Sequence, residues 1–314
     1  MYKIILNPFA GKGKAFKSVR HIEHFFTKLD MSYDLVLTNC SRQAIDFAHE
    51  AVIQGVENII AAGGDGTINE VINGIMKSGY PNNVNVGIIP IGGGNDFAKN
   101  LVLPHKLKDV IKIIQDHHVN LVDIGQVEDF YFINTLGVGF DAQVAISYIK
   151  NKWLNGFPGY MYAVMKALIR KDSYYVTLTI NGETFKKDAL FVTVGNGICC
   201  GGQFYLTPDA KIDDEEFDFC VIDKLSRRKI LKFIPKAVKG LHTELPAAHM
   251  YKGQQILIQS QRDLPLYMDG EIPELNDKRN ILVKILPHRI RLITPKYDFD
   301  QDPRSFGEMG SDTQ

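Results

Sequence analysis

Residues 61–70 read AAGGDGTINE, and this stretch decides how the rest of the chain is interpreted. It follows an apolar run, Val56–Ile60, typical of a short buried parallel strand, and it leads into an amphipathic helix pattern over Val71–Met76. Three glycines in four positions let backbone N–H groups approach an anion, and the helix N-terminus behind them adds positive dipole. A carboxylate in such a loop would repel an anion unless it handled a metal ion or a proton. Asp65 therefore indicates Mg-nucleotide chemistry, and the alternative is an ordinary turn in which Asp65 caps the helix.

Length and composition bound the class of protein. With 314 residues and 45% hydrophobic residues, the chain is long enough for two domains. The formal net charge is zero, so composition makes no case for a nucleic-acid partner, and the four cysteines show no CxxC spacing and are expected to be reduced. The N-terminus begins directly with a strand pattern, and glycines interrupt the longest uncharged run, Ala189–Pro208. The sequence therefore predicts a soluble cytoplasmic protein with no transmembrane segment.

Residues 1–125 alternate strand-like apolar runs with helical periods, which predicts an open parallel α/β domain. The tail, residues 294–314, is expected to return to this domain. The predicted strands are Lys3–Leu6, Tyr33–Leu37, Asn58–Ala62 and Val86–Pro90, and the predicted helices are Lys14–Leu29, Arg42–Gln54 and Thr67–Lys77.

Residues 126–293 carry mostly short strand patterns separated by turn signals, which predicts a β-rich, sandwich-like second domain. The predicted strands are Tyr131–Leu136, Tyr174–Ile180, Leu190–Val194, Phe217–Ile222, Gln255–Ser260, Leu264–Met268 and Ile281–Leu286.

Three loops rich in glycine or turn residues follow predicted strands of the first domain: Asn7–Lys14, Ala61–Glu70 and Pro90–Asp96. Because the carboxyl ends of parallel strands meet at one edge of a sheet, the three loops together predict a phosphate site. The first loop is similar to a P-loop, but the G-x-x-x-x-G-K-[ST] spacing fails in both registers. It is left as a looser phosphate loop or a plain turn.

Two acidic segments allow a functional interpretation and a plainer one. Asp269 and Glu271 flank Gly270 in a hairpin-like turn, where paired carboxylates could supply a general base that takes a proton from a hydroxyl. Asp209–Asp218 holds six acids around Lys211, and closely spaced oxygen ligands suit Mg²⁺ or Ca²⁺, although the spacing is not that of an EF-hand. For each segment the alternative is an ordinary turn with solvated acids.

Two stretches without acids are basic and partly aromatic, Ala142–Lys171 and Lys224–Thr243. Each Lys or Arg near an anionic leaflet contributes about 1 kcal/mol to binding, so either stretch could hold the protein at a membrane. Packed amphipathic helices with solvated faces are the alternative.

Taken together and in this order, these segments resemble the diacylglycerol kinase catalytic-domain family of lipid kinases, in its soluble bacterial form. The resemblance covers nearly the whole chain and rests on Asn7-Pro8 with Gly11, Gly63–Thr67 with Asn69-Glu70, Gly92–Phe97, Pro208–Asp214 and Asp269–Glu271. It implies an ATP cleft between the α/β domain and the β-rich domain. It also implies ATP-dependent phosphorylation of a lipid hydroxyl, with diacylglycerol as the leading acceptor and phosphatidic acid as the product.

The resemblance also implies roles for individual residues. Asp65 would organise Mg-ATP, and Asp269 or Glu271 would be the general base, with Asp269 the first choice. Lys211 and Asp214 would hold a structural Mg²⁺, partly through backbone oxygen and water. The implied ATP contacts are Asn7, Pro8, Phe9, Ala10, Gly11, Thr38, Gly64, Asp65, Gly66, Thr67, Asn69, Glu70, Gly92, Gly93, Gly94, Asn95 and Asp96.

Two positions depart from the family pattern. Gly93 replaces the threonine of the usual Gly-Thr-Gly-Asn-Asp loop, and Glu215 replaces the glycine of Asp-Asp-Gly in the metal loop. The rival functions are an NAD kinase, which has a similar Gly-Gly-Asp-Gly loop, and a catalytically silent lipid-binding or regulatory protein. The expected partner is a lipid at the membrane surface, with peripheral membrane association and no nucleic acid, and a homodimer is left open.

Overall fold

The computed structural model describes residues 1–150, 156–170 and 173–296. The chain folds into two compact units. Unit 1 is Met1–Asp123 together with the segment that begins at Pro287, and unit 2 is Ile124–Leu286. Parts of the first basic stretch, residues 151–155 and 171, and most of the tail expected to return to unit 1 lie outside the described residues.

Unit 1 is built on a parallel sheet with helices between its strands, as the alternating pattern predicted. The strands run in the order β2-β1-β3-β4, all parallel, and the end of a late strand, β14, adds to the edge by pairing with β4. The strands are β1 (Tyr2–Leu6), β2 (Tyr33–Leu37), β3 (Asn58–Gly63), β4 (Asn85–Pro90) and β14 (Asn280–Ile293), and the helices are α1 (Ala10–Lys28), α2 (Gln43–Ile53), α3 (Asp65–Lys77), α4 (Asp96–Asn100) and α5 (Leu107–Asp116).

The central strands of unit 1 are buried, which is why they read as continuous apolar runs in the sequence. Ile4 and Ile60 pack in one cluster with Phe26 of α1 and Ile114 of α5. α2 and α3 approach closely, since a side chain on Gly74 would collide with the backbone of α2. These contacts fix the strand ends from which the glycine-rich loops leave.

Unit 2 is dominated by an antiparallel sheet around an aliphatic and aromatic core. Its strands run in the order β11-β10-β9-β8-β12-β14, and β7 pairs with both β9 and β13. The strands are β5 (Val119–Val127, which begins in unit 1), β6 (Phe130–Phe132), β7 (Thr135–Gly139), β8 (Tyr174–Ile180), β9 (Glu183–Gly195), β10 (Phe217–Asp223), β11 (Ala248–Gly253), β12 (Gln255–Ser260) and β13 (Leu266–Met268), and the helices are α6 (Phe140–Lys150), α7 (Gly156–Arg170) and α8 (Arg227–Val238).

The structure corrects three details of the predicted strands. The single strand predicted over Tyr131–Leu136 is two strands, because residues 133 and 134 give their N–H groups to a side chain instead of a ladder. The strand predicted over Leu190–Val194 begins at Glu183. Neither β5 nor β11 was predicted. None of the described helices has both the length and the apolar character that a membrane span needs.

Candidate active site

The first loop of unit 1 (loop 1, residues 7–13) leaves β1 through a run of left-handed residues. Gly11, Lys12 and Gly13 have φ angles of 58°, 60° and 82°, and regular helical geometry begins only after them. A side chain on Gly11 would collide with the carbonyl oxygen of Ile91. Only glycine therefore lets loop 1 lie directly against the loop that follows β4.

Asn7 connects loop 1 to the loop that follows β3 (loop 2, residues 63–67). Its Oδ1 accepts the N–H of Phe9 at 3.0 Å, which closes loop 1 on itself. Its Nδ2 donates to Oγ1 of Thr67 at 3.3 Å. Asn7 and Thr67, both implied as ATP contacts by the family resemblance, thus join the two loops.

The loop that follows β4 (loop 3, residues 90–96) packs on loop 2 backbone to backbone. The N–H of Ile91 donates to the carbonyl of Gly63 at 2.7 Å, and a Cβ on Gly92 would lie 2.5 Å from the Cα of Gly64. Oδ1 of Asn95 accepts the N–H of Gly92 at 2.7 Å and holds loop 3 in a tight turn. The three loops therefore meet at one edge of the unit 1 sheet.

Asp65 is the first residue of α3 and lies among the three loops. Its Oδ1 accepts the N–H of Phe97, at the start of α4, at 3.0 Å. A Cβ on Gly94 would lie 3.2 Å from its Oδ2, so the glycine gives the carboxylate its room. The start of α3 carries partial positive charge, because a helix leaves its first N–H groups without intrahelical partners. Asp65 thus accepts an N–H of a different helix, α4, whereas the plainer interpretation made it the cap of its own helix, α3, whose N-cap is Gly64.

Two of the implied ATP contacts support the scaffold of the site. Glu70 Oε1 accepts the N–H of Arg42 at 2.9 Å and Oε2 accepts the N–H of Ala44 at 3.2 Å, so this carboxylate holds the start of α2. Thr38 is buried, and its N–H donates to the carbonyl of Leu6 at 2.9 Å. These contacts fix the end of β2 and the start of α2 beside loop 2.

Asn69 and Asp96 are also buried polar residues near the loops. Asn69 Oδ1 accepts a hydrogen bond from the side chain of Asn73 at 3.1 Å. Asp96 forms an ion pair with Lys99 at 2.8 Å. Gly93 differs from its neighbours, since a Cβ placed there would meet nothing within 4 Å.

A cavity of about 460 Å³ opens beside loop 3 within unit 1. Its lining includes the apolar side chains of Ile89, Leu103 and Val110. Two cations, Lys14 and Lys99, also line it, and Lys99 is paired with Asp96. Backbone of Gly92 and Gly94 completes the wall. Cationic side chains next to open glycine backbone make an environment that favours an anionic group. Lys14 belongs to the predicted loop Asn7–Lys14, whereas no role was predicted for Lys99.

The two acids of the segment Asp269–Glu271 have different surroundings in unit 2. Asp269 is only 4% exposed, and its carboxylate accepts three backbone N–H groups, from Ile133 at 2.7 Å, Asn134 at 3.1 Å and Thr135 at 2.8 Å. Glu271 is exposed. The carboxylate of Asp269 is therefore the acceptor that holds the turn between β6 and β7.

Asp214, implied as a metal ligand, pairs with a lysine of β11. Lys252 Nζ lies 3.4 Å from Oδ2 of Asp214 and 3.1 Å from Oδ2 of Asp218. Lys211 is exposed. In the described part of the chain, no group of three or more His, Cys, Asp or Glu side chains is placed to hold a metal ion. The Lys252 ammonium lies against Asp214 of this loop and Asp218 of β10, so it competes with a Mg²⁺ ion for the carboxylate of Asp214.

The second basic stretch forms α8, which has one buried and one basic face. Ile230, Phe233 and Ile234 are buried, whereas Arg228, Lys229 and Lys232 are exposed. The Arg227 guanidinium donates to the carbonyls of Leu168 at 3.0 Å and Ile169 at 3.1 Å, which ties α8 to the end of α7. The exposed apolar residues of α7 follow a helical spacing and are Tyr162, Met165 and Ile169.

Asp141 is a buried acid with no place in the predicted chemistry. Its Oδ2 accepts the hydroxyl of Thr193 at 2.9 Å, and its Oδ1 accepts the N–H of Ala142 at 2.7 Å. Burial raises the pKa of Asp141 to about 7, although both hydrogen bonds lower it. Burial and the neighbouring Cys200 and Asp141 also raise the pKa of Tyr267.

Comparison with known proteins finds a matching family model for each part of the chain. Residues 1–127 match the family described as diacylglycerol kinase catalytic domain, and residues 134–294 match the YegS C-terminal NAD kinase beta sandwich-like domain. A diacylglycerol kinase of Staphylococcus saprophyticus is 32% identical over 86% of this chain and 88% of its own length. The chain belongs to the bacterial diacylglycerol kinase family.

A second relative agrees with this assignment to a lipid kinase family, and a solved structure shares the fold. A diacylglycerol kinase of Staphylococcus epidermidis is 32% identical over 96% of this chain and 94% of its own length. The crystal structure of a diacylglycerol kinase from Bacillus anthracis has the same fold, with a TM-score of 0.76, 24% identity and coverage of 94% of this chain and 97% of that one. The predicted family and the predicted α/β fold with a β-rich second domain are confirmed.

In this member of the diacylglycerol kinase family, the sequence predicted most of the polar residues in loops 1 to 3. It did not predict the roles of three lysines or the backbone donors to Asp269. Lys14 and Lys99 carried a signal, since both lie within or beside glycine-rich loops. Lys252 carried no signal in the sequence, because the strand that contains it was not predicted. The three N–H partners of Asp269 could not be found from sequence, since they lie more than 130 residues away.

Proposed function

We propose that this chain transfers the γ-phosphoryl group of Mg-ATP to the hydroxyl of a lipid, with diacylglycerol as the leading acceptor and phosphatidic acid as the product. The observation that carries the proposal is the direct packing of loops 1, 2 and 3 through Gly11, Gly64 and Gly92. Phosphoryl transfer needs positioning and neutralisation of charge more than covalent chemistry by the protein. Open glycine backbone at a helix N-terminus supports that requirement.

Unit 1 is proposed to hold the nucleotide. The N–H groups at the start of α3 would bind phosphate oxygens, and Lys14 would add positive charge beside them, whereas Lys99 is paired with Asp96. Two carboxylates approach Gly94, since an ideal Cβ there would lie 3.2 Å from Oδ2 of Asp65 and 3.5 Å from Oδ2 of Asp96, and such oxygens would suit the ion of Mg-ATP. When bound, Mg²⁺ neutralises charge that develops on the transferred phosphoryl group. Asp65 would position that ion without making any covalent bond.

Unit 2 is proposed to supply the general base, and its contacts favour Glu271 over Asp269. A base must be able to approach the hydroxyl proton within hydrogen-bond distance. Asp269 is buried, and both of its oxygens already accept backbone N–H groups, whereas Glu271 is exposed two residues further on. We therefore assign Asp269 a positioning role, in which it holds the segment that carries Glu271. We assign Glu271 the role of the general base that takes the proton from the lipid hydroxyl.

A labelled-ATP assay against a panel of lipids and NAD tests the function. We expect Mg-dependent labelling of diacylglycerol or a related lipid alcohol, and no labelling of NAD. Labelling of NAD alone would identify the rival small-molecule kinase. Absence of any transfer, together with binding of lipid vesicles, would identify a catalytically silent protein. Either result would refute the proposal.

We also propose that unit 2 associates with anionic membranes through α8 and the adjoining apolar residues of α7. The exposed Tyr162, Met165 and Ile169 supply apolar contact, and the basic face of α8 supplies charge. Each cationic side chain near an anionic leaflet contributes about 1 kcal/mol, and salt screens this attraction.

Charge reversal on α8 tests the membrane proposal. Arg227 is left intact because it joins α8 to α7. Reversing Arg228, Lys229 and Lys232 to Glu should weaken binding to anionic vesicles at least about 10²-fold and spare turnover of a short-chain soluble acceptor. An equal loss in a control with the same change of charge on unit 1 would contradict a specific role of α8; suitable exposed positions are Lys28, Lys106 and Lys108.

A further inference from the structure

A lysine of β11 lies against the acidic segment that runs from the loop between β9 and β10 into β10. Lys252 lies on β11, and its cross-strand partner on β10 is Asp218. Its ammonium is 3.1 Å from Oδ2 of Asp218 and 3.4 Å from Oδ2 of Asp214. One positive charge is therefore shared by an acid of the strand and an acid of the loop.

The backbone keeps this lysine in place. The register of β10 and β11 runs without a shift from Phe217 to Ile222, so Lys252 remains opposite Asp218. The Asn181 side chain also donates to the carbonyl of Lys252 at 2.8 Å. The backbone of Lys252 is thus fixed beside Asp218 by two strands and a side-chain contact, and its side chain, which is 44% exposed, reaches both acids from there.

The carboxylates have little need of a second cation. The side chain of Asp218 is only 6% exposed, and a buried carboxylate requires an opposite charge. Oδ1 of Asp214 already accepts the N–H of Glu216 at 3.4 Å, and its Oδ2 faces the ammonium. Mg²⁺ demands near-octahedral oxygen coordination and would lie within a few ångströms of a fixed positive charge.

We propose that the Lys252 ammonium takes the place of the structural Mg²⁺ that the family resemblance implies for this loop. The loop is then folded by an ion pair between Lys252, Asp214 and Asp218. The proposal concerns this loop alone and is independent of the Mg²⁺ that accompanies ATP.

Thermal unfolding without nucleotide tests the replacement. The melting temperature of the wild-type chain should be the same in EDTA and in excess Mg²⁺. Lys252→Met should lower the melting temperature in EDTA by about 5 °C or more, since it leaves two acids without their cation. Lys224→Met is the matched control, because Lys224 forms an exposed ion pair with Asp188 at 2.8 Å, and such pairs contribute little. An equal loss in the two variants would overturn the proposal.

Binding of Mn²⁺, followed by electron paramagnetic resonance in the absence of ATP, gives a second readout that does not depend on the stability of a variant. We expect the wild-type chain to bind no stoichiometric Mn²⁺. One tightly bound Mn²⁺ that is lost in Asp214→Ala would show that a metal holds the loop. A rise in wild-type melting temperature with Mg²⁺ that is absent in Asp214→Ala would overturn the proposal in the same way.

Discussion

The variant Asp269→Asn distinguishes two roles of the Asp269 carboxylate, a structural hydrogen-bond acceptor and a catalytic base. In the folded chain, Oδ1 of Asp269 accepts the N–H groups of Asn134 and Thr135, and Oδ2 accepts the N–H of Ile133 at 2.7 Å. Asparagine keeps one acceptor oxygen, which can serve two donors. Its NH₂ group would then face the N–H of Ile133, so that two donors meet in a buried site.

The expected loss follows from this count of donors. One buried N–H without an acceptor costs about 1–3 kcal/mol, and the opposing NH₂ group moves the value to the upper end. We therefore expect Asp269→Asn to lower the free energy of unfolding by about 3 kcal/mol. Asp269→Ala leaves all three N–H groups without this acceptor and should cost more.

Glu271→Gln is the matched control, because Glu271 is exposed and lies two residues away. Its free energy of unfolding should change by less than about 0.5 kcal/mol, and its kcat should fall at least about 10²-fold if it is the general base. Urea unfolding and turnover of a lipid acceptor measure the two quantities, with ATP binding followed by calorimetry. If Asp269→Asn keeps the wild-type stability and loses turnover while Glu271→Gln remains active, Asp269 is the base and the reasoning from its contacts is wrong.

Three further predictions follow from other residues. Asp65→Asn keeps the acceptor for the N–H of Phe97 and removes the charge, so kcat should fall at least about 10²-fold with stability unchanged; wild-type activity in this variant would leave Asp65 as a cap alone. A Cβ at position 93 would meet nothing within 4 Å, and Gly93→Thr restores the hydroxyl of the family pattern, so KM for ATP should fall about tenfold. Gly93→Val, which adds no hydroxyl, should not lower KM. Burial raises the pKa of Asp141 from 3.8 to about 7, so the folded chain binds more protons than the unfolded chain between these values, and stability should fall by up to about 4 kcal/mol as pH rises from about 4 to about 7. Burial also raises the pKa of Asp218 to about 6, so urea unfolding of Asp141→Asn should show a smaller slope, with the loss clearest between about pH 6 and 7; an unchanged slope would exclude Asp141 as a source.

The parallel sheet of unit 1 could be predicted because its strands and helices carry local signals. Strand β2, for example, was predicted with the bounds that the structure gives, Tyr33–Leu37. Glycine-rich sequence after β1, β3 and β4 also predicted where the loops leave the sheet. The contact of Gly64 with Gly92 could not be predicted, since it depends on how two loops pack after the sheet has formed.

Several features of unit 2 could not be predicted from local sequence patterns. β11 has the sequence AHMYKG, without the alternation of apolar and polar residues that marks a half-buried strand. Its register with β10 therefore stayed hidden, and so did the pairing of Lys252 with Asp218. In the same way, Asp269 resembled a solvated turn residue or a base, because nothing near it in sequence indicates that residues 133–135 donate to it.

Unit 1 is discontinuous in sequence, and this affects the order in which a ribosome can complete it. Arg291 and Leu292 pair with β4, and Thr294 donates to the carbonyl of His118 at 2.9 Å. All of unit 2 is synthesised before these residues emerge, so a nascent unit 1 carries β4 as an open edge throughout that time. Open strand edges are sites of association between chains. Nascent chains that stall before residue 291 should therefore be the aggregation-prone species, and a short synthetic peptide spanning the end of β14 should protect them.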